Sequence, residues 1–183
     1  MQHVDAPAEA ALHTRRILSR AAWLMSAVVA AIGFIVLTGG WLGGVDALRR
    51  VHAAYAAMAP STALCFCLSS ALVLVDLTPL HPDVTARVAA LAGSAAVAAI
   101  ALANLAVAAL SPLTGLDALL FSASALFAGD YMATATSISF LLAAFAQGYA
   151  AKRAGPLFTA AATLGLVISL VALIGYLFDA RAL

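Results

Sequence analysis

The chain has 183 residues, 65% of them hydrophobic and 9% charged. Soluble domains carry about 25% charged residues, so a water-soluble globule is excluded. A net charge of +1, with no Lys/Arg-rich arm, excludes nucleic acid as a partner. The apolar runs reach the roughly 20 residues that a bilayer crossing takes, which predicts an integral membrane protein, an all-α, polytopic membrane helix bundle.

Residues 1–20 read as a polar tail with Asp5, Glu9, Arg15, Arg16 and Arg20. No small-x-small cleavage site follows the next apolar run, so that run reads as a retained first span and not a signal peptide. The first span covers about residues 21–41. Trp23 and Trp41 stand about 27 Å apart on a helix, close to the hydrocarbon thickness, which predicts both indoles in the interfacial belts. The glycines at 39, 40, 43 and 44 read as a flexible helix end, because no Lys-Ser/Thr follows to make a phosphate loop.

The connection at residues 45–58 has Val45, Leu48, Val51, Tyr55 and Met58 at helical spacing. It predicts a helix lying on the membrane surface, with Asp46 paired to Arg49 or Arg50. The second span covers about 61–77 and contains Cys65 and Cys67. Residues two apart point to nearly opposite sides of a helix, so these thiols read as small apolar packing groups and not as a metal or redox pair. The Ala-rich third span covers about 88–110. Residues 116–127 are almost uniformly apolar and are expected to tuck against the bundle or re-enter it. The fourth span covers about 133–150 and the fifth about 156–177. Pro60 and Pro156 sit at helix starts, where a missing N–H costs little.

Positive charges set the orientation. Arg15, Arg16, Arg20, Arg87, Lys152 and Arg153 lie on one side of a five-span topology, and Arg49, Arg50 and Arg181 on the other. The larger set is cytoplasmic by the positive-inside rule. The N-terminus is therefore expected inside, the loops at 42–60 and 111–132 outside, and Leu183 outside.

An internal repeat organises these elements. Met58-Ala-Pro-Ser-Thr-Ala-Leu-Cys-Phe66 and Met132-Ala-Thr-Ala-Thr-Ser-Ile-Ser-Phe140 share one layout. Upstream stand Val45-Asp-Ala-Leu48 and Leu116-Asp-Ala-Leu119, and a third copy begins at Phe178-Asp-Ala180. Each unit reads as a span, an interfacial element and a return span. Repeat one is 21–77, repeat two 88–150, and a half repeat 156–183 lacks its return span.

The helix-start motif contains Met58, Pro60, Thr62, Met132 and Thr136. Ser61 or Thr62, and Thr134 or Thr136, are placed to cap the free N–H groups there. These helix ends, with His52, Tyr55, Asp130 and Tyr131, are the candidate rim of a pocket for a small ligand, an anion or a polar headgroup. Asn104 and Gln147 are polar inside apolar spans and are expected to hydrogen-bond between helices. No metal-ligand spacing joins the four histidines, and no catalytic constellation or cofactor motif stands out. The chain as given reads as a non-enzyme without cofactors.

The motif from Met58 to Phe66, the Gly40-Trp-Leu-Gly43 end of span one, Gly115-Leu-Asp-Ala-Leu-Leu120 and Gly175-Tyr-Leu-Phe178 together resemble the multi-pass N-terminal membrane regions of bacterial sensor proteins. The resemblance spans roughly residues 20–183. It implies an input module that precedes a cytoplasmic histidine kinase or diguanylate cyclase output in the bacterial inner membrane and works as a homodimer. It carries over no ligand-binding residue. The second copy departs from the pattern, with Thr134 and Ser137 where the first has Pro60 and Ala63. A five-span chain with an unfinished third unit reads as a sensor region without its output. The competing reading is an accessory or structural subunit of a larger membrane complex. Small-residue faces such as Ala95, Ala99 and Ala103 would pack there against other membrane subunits.

Overall fold

A computed structural model describes residues 6–50, 57–77, 84–110, 116–117, 132–150 and 155–177. Among these, all regular structure is helical. The elements are α1 (Ala6–Ile35), a π-helix (Val36–Leu42), α2 (Asp46–Arg49), α3 (Pro60–Leu77), α4 (Val84–Leu110), α5 (Thr134–Ala150) and α6 (Pro156–Leu177). Leu12–Leu42, Pro60–Leu77, Val84–Leu110 and Pro156–Ile174 are long and apolar enough to cross a membrane. Their number and length make this a multi-pass membrane protein. The fifth long helix, α5, has 17 residues, about 25 Å at 1.5 Å per residue.

The helices pack largely in chain order: α1 on α3, α3 on α4, α4 on α5 and α5 on α6, with α3 also touching α5. The core lies among α3, α4 and α5. It holds Ala59, Cys65, Val97, Ala101, Met132, Phe140 and Ala144, with Phe66, Leu68 and Leu141 packed against it. Small residues dominate because helices without water between them gain mainly from close van der Waals approach. At Gly33 on α1, a Cβ would stand 2.9 Å from the Ala63 carbonyl oxygen and 3.0 Å from Cys67 Sγ. That glycine lets α1 lie directly on α3.

Several expectations change. Residues 6–20 are helical and continuous with the span, within the helix Ala6–Ile35. Gly39 and Gly40 near its C-terminal end lie in regular structure. The helix widens into a π-helix, closed by the Gly43 N–H on the Thr38 carbonyl at 2.7 Å, and Gly44 turns the chain at φ 72°. A Cβ at Gly39 would stand 2.6 Å from Leu48 Cδ1, and one at Gly40 3.1 Å from Arg49 Cγ. Both glycines leave room for the side chains of α2 to lie against this end of the helix. Among the described residues, the surface helix expected over 45–58 is helical at Asp46–Arg49 and is interrupted at Arg50, which is extended at φ −138° and ψ 141°. The chain then returns, with the Met58 N–H on the Arg49 carbonyl at 2.8 Å. Residues 51–56 lie outside the described residues.

Trp41 stands at the C-terminal end of the first candidate span. It is buried, and its indole Nε1 donates to the Met58 carbonyl at 3.0 Å. Trp23 is exposed.

Candidate functional site

The Met motifs lie at matching positions relative to two helix starts. Met58 precedes α3 by two residues, and Met132 precedes α5 by two. The first backbone bonds correspond as well: Ala63 N–H to the Ala59 carbonyl, and Ser137 N–H to the Ala133 carbonyl, both at 3.0 Å. Eight residues beyond each Met, Phe66 and Phe140 meet edge to face, with ring centroids 5.1 Å apart and planes at 70°. Such a pair adds about 0.5–1.5 kcal/mol beyond the area it buries. Two residues at the same step of their motifs are in contact, so α3 and α5 run side by side from one end of the bundle.

Asp117 ties those two starts together. It is fully buried. Its Oδ1 accepts the Ser61 backbone N–H at 2.7 Å, and its Oδ2 accepts the Ser61 hydroxyl at 3.0 Å. Oδ2 also lies 3.4 Å from the Met132 N–H, which donates to it. The expected cap therefore has a different source. The Ser61 hydroxyl does not satisfy the helix N–H groups. A carboxylate from the second connection does so, and the hydroxyl adds a further bond to it. Helix N-termini favour negative charge and need acceptors for their first N–H groups, and a carboxylate supplies two oxygens where serine supplies one. Thr62 is buried and Thr136 is half-buried.

Asp46, the counterpart of Asp117 in the first unit, behaves differently. It is exposed and pairs within its own turn with Arg50 at 3.3 Å. The local sequence explains this. Asp46 is followed by arginines at 49 and 50, whereas Asp117 is followed by Ala-Leu-Leu-Phe. With no cation in reach on its own turn, a carboxylate in an apolar segment finds donors elsewhere or is not buried. That was the available signal for Asp117, and the repeat obscured it by suggesting that the two acids are equivalent.

The polar residues farther along the helices divide into two kinds. Gln147 Nε2 on α5 donates to the Ser69 carbonyl on α3 at 3.1 Å, a bond between helices. Asn104 is buried, and its Nδ2 donates to the Ile100 carbonyl one turn back on α4 at 3.1 Å. That donation stays within its own helix instead of crossing to another, because an amide side chain can reach the carbonyl four residues back on its own helix. Gln147 Oε1 and the hydroxyls of Ser69, Ser94 and Ser137 are buried without a hydrogen-bond partner. A cleft of about 330 Å³ between α5 and α6 is lined by Ser139, Gln147 and Ser169 among apolar side chains.

His52, Tyr55, Asp130 and Tyr131, the candidate rim of a ligand pocket, lie outside the described residues. Among the described residues no group of His, Cys, Asp and Glu is placed to hold a metal ion.

These features define an all-helical, multi-pass membrane bundle in which a buried carboxylate joins two helix starts. No protein-family model, curated protein or solved structure matches the chain.

Proposed function

We propose that the chain is a membrane-embedded input module of a bacterial signalling protein, whose output domain belongs to a longer gene product. The observation that carries this reading is the Asp117 bridge from Ser61 to Met132. It couples the starts of two parallel helices at one end of the bundle, so a change in the connection at that end acts on α3 and α5 together. A helix shift of 1–2 Å is a known kind of signal. The motif resemblance to multi-pass sensor regions points the same way. In this reading all five long helices span the inner membrane, the N-terminus is cytoplasmic, and the chain acts as a homodimer in the bilayer.

A second reading, an accessory subunit of a larger membrane complex, draws on α6. Most of its length is exposed, including Leu164, Leu166, Val167, Leu170 and Leu173, and it packs on α5.

The test places spin labels at Val75→Cys and Phe145→Cys, both exposed positions far along α3 and α5, in a background with Cys65→Ala and Cys67→Ala. The distance distribution is compared with and without Asp117→Asn in lipid nanodiscs. An input module shifts the distribution on this change at the other end of the helices, and phosphotransfer or cyclic-dinucleotide output of the full gene product moves with it. An unchanged distribution, with stoichiometric co-purification of other membrane chains, refutes the sensor reading and favours the subunit.

A further inference from the structure

Arg49 ends α2 and packs against the π-helical end of α1. Its Nε donates to the Gly40 carbonyl at 2.8 Å, and its guanidinium carbon lies 4.6 Å from the centroid of the Trp41 ring. The ring is held in turn by the Met58 carbonyl at 3.0 Å. The guanidinium is thus fixed by a carbonyl and by a ring, both of them neutral. Asp46, the acid of its own helix, is engaged by Arg50. Among the described residues no carboxylate pairs with Arg49. A half-buried cation with only dipolar partners among the described residues is short of counter-charge, and no described residue takes a hydrogen bond from its two terminal nitrogens.

We propose that Arg49, on its Trp41 platform, binds the phosphate of a membrane phospholipid headgroup. The planar guanidinium fork matches the spacing of phosphate oxygens, and a fork fixed beforehand loses less entropy on binding. Its position suits a lipid in particular. The apolar stretch Leu12–Leu42 ends just before it, where hydrocarbon gives way to headgroups. Leu42, Val45 and Leu48 beside it are exposed, Leu42 at 73%. A soluble phosphate offers the same oxygens but leaves those side chains uncovered. The acyl chains of a lipid cover them. This inference rests on the membrane placement of the bundle and not on the signalling reading.

Trp41 reports on the site directly, since the chain has two tryptophans and Trp23→Phe leaves Trp41 alone. The full chain with this substitution is titrated in maltoside micelles with short-chain phosphatidylglycerol, with the matching phosphate-free diacylglycerol, and with inorganic phosphate. The expected result is a saturable change in Trp41 emission with the phospholipid alone. Arg49→Gln weakens it about tenfold or more, the loss of charge-assisted hydrogen bonds. Arg50→Gln leaves it nearly unchanged. Arg49→Lys keeps the charge and the stem, binds more weakly than Arg49, and guards against a folding defect in the Gln variant. An equal response to diacylglycerol means acyl packing only, and an equal response to inorganic phosphate means a soluble-anion site. Either outcome overturns the proposal, as does unweakened binding by Arg49→Gln or Arg49→Lys, or equal weakening by Arg50→Gln.

Discussion

Asp117 and Ser61 are 56 residues apart in sequence, and the carboxylate of one accepts both the backbone N–H and the hydroxyl of the other, at 2.7 and 3.0 Å. The pair closes the start of α3 in a site from which water is excluded. Removing the acid leaves the Ser61 and Met132 N–H groups buried without an acceptor. Asp117→Ala is expected to destabilise the bundle by about 3 kcal/mol, and Ser61→Ala by about 1 kcal/mol, on the usual scale for charge-assisted and neutral bonds. The double substitution should fall short of the sum by at least about 0.5 kcal/mol. Steric-trapping or denaturant unfolding in micelles measures all three, and strict additivity would show that the two residues do not act as a unit.

The other Asp-Ala-Leu acid provides the contrast. Asp46 is 58% exposed in its pair with Arg50, and exposed pairs contribute about 0–1 kcal/mol. Asp46→Ala should change stability by no more than about 0.5 kcal/mol. A loss comparable to that of Asp117→Ala would mean that both acids cap buried helix starts, as their shared motif suggests.

Gly33 and Gly165 separate close from ordinary packing. A Cβ at Gly33 meets backbone at 2.9 Å, whereas one at Gly165 meets Leu142 Cβ at 3.5 Å. Gly33→Ala should therefore push α1 from α3 and cost about 1–3 kcal/mol, the range for overpacking. Gly165→Ala should be neutral or stabilising by up to about 1 kcal/mol through the helix propensity of alanine. Melting of the two variants in one detergent settles the order.

The two amides should respond differently to leucine. Gln147→Leu removes a bond between α5 and α3, worth about 0.6 kcal/mol on average in membranes, and is expected to loosen contact between those helices. Asn104→Leu removes a donation within α4, which helix backbone geometry does not depend on, and should leave α4–α5 packing intact. Disulfide trapping between cysteines introduced on facing helices distinguishes the cases. Loosening by the Asn104 change alone would contradict this assignment.

Topology is open to cysteine labelling once Cys65 and Cys67 are replaced by alanine. Reagents restricted to the outer face should reach cysteines introduced in the connections before Met58 and Met132 but not at Arg87 or Lys152. Outer labelling at Lys152 would invert or break the five-span arrangement.

Much of the fold was legible because its determinants are local. Length and hydropathy mark the long helices, and the Met motifs mark the starts of α3 and α5 to within a residue or two. The break at Arg50 in the surface helix expected over 45–58 was not legible, because apolar spacing describes a face without showing where the backbone stops being helical. The burial of Trp41 was not legible because an aromatic near a span end looks the same in sequence whether it is open to its surroundings or seated on the chain itself. The choice between them depends on whether a carbonyl such as that of Met58 is within reach.

The sequence by itself determined that this is a helical membrane protein, where its long helices lie and where two of them begin. Composition and period act over tens of residues and leave little choice of environment. Tertiary structure alone decided which polar groups meet. Asp46 and Asp117 occupy matching steps of one motif, yet one bonds within its own turn and the other reaches across to Ser61 and Met132. A buried polar group is stable only beside its partner, and that partner is brought to it by packing of helices far apart in the chain.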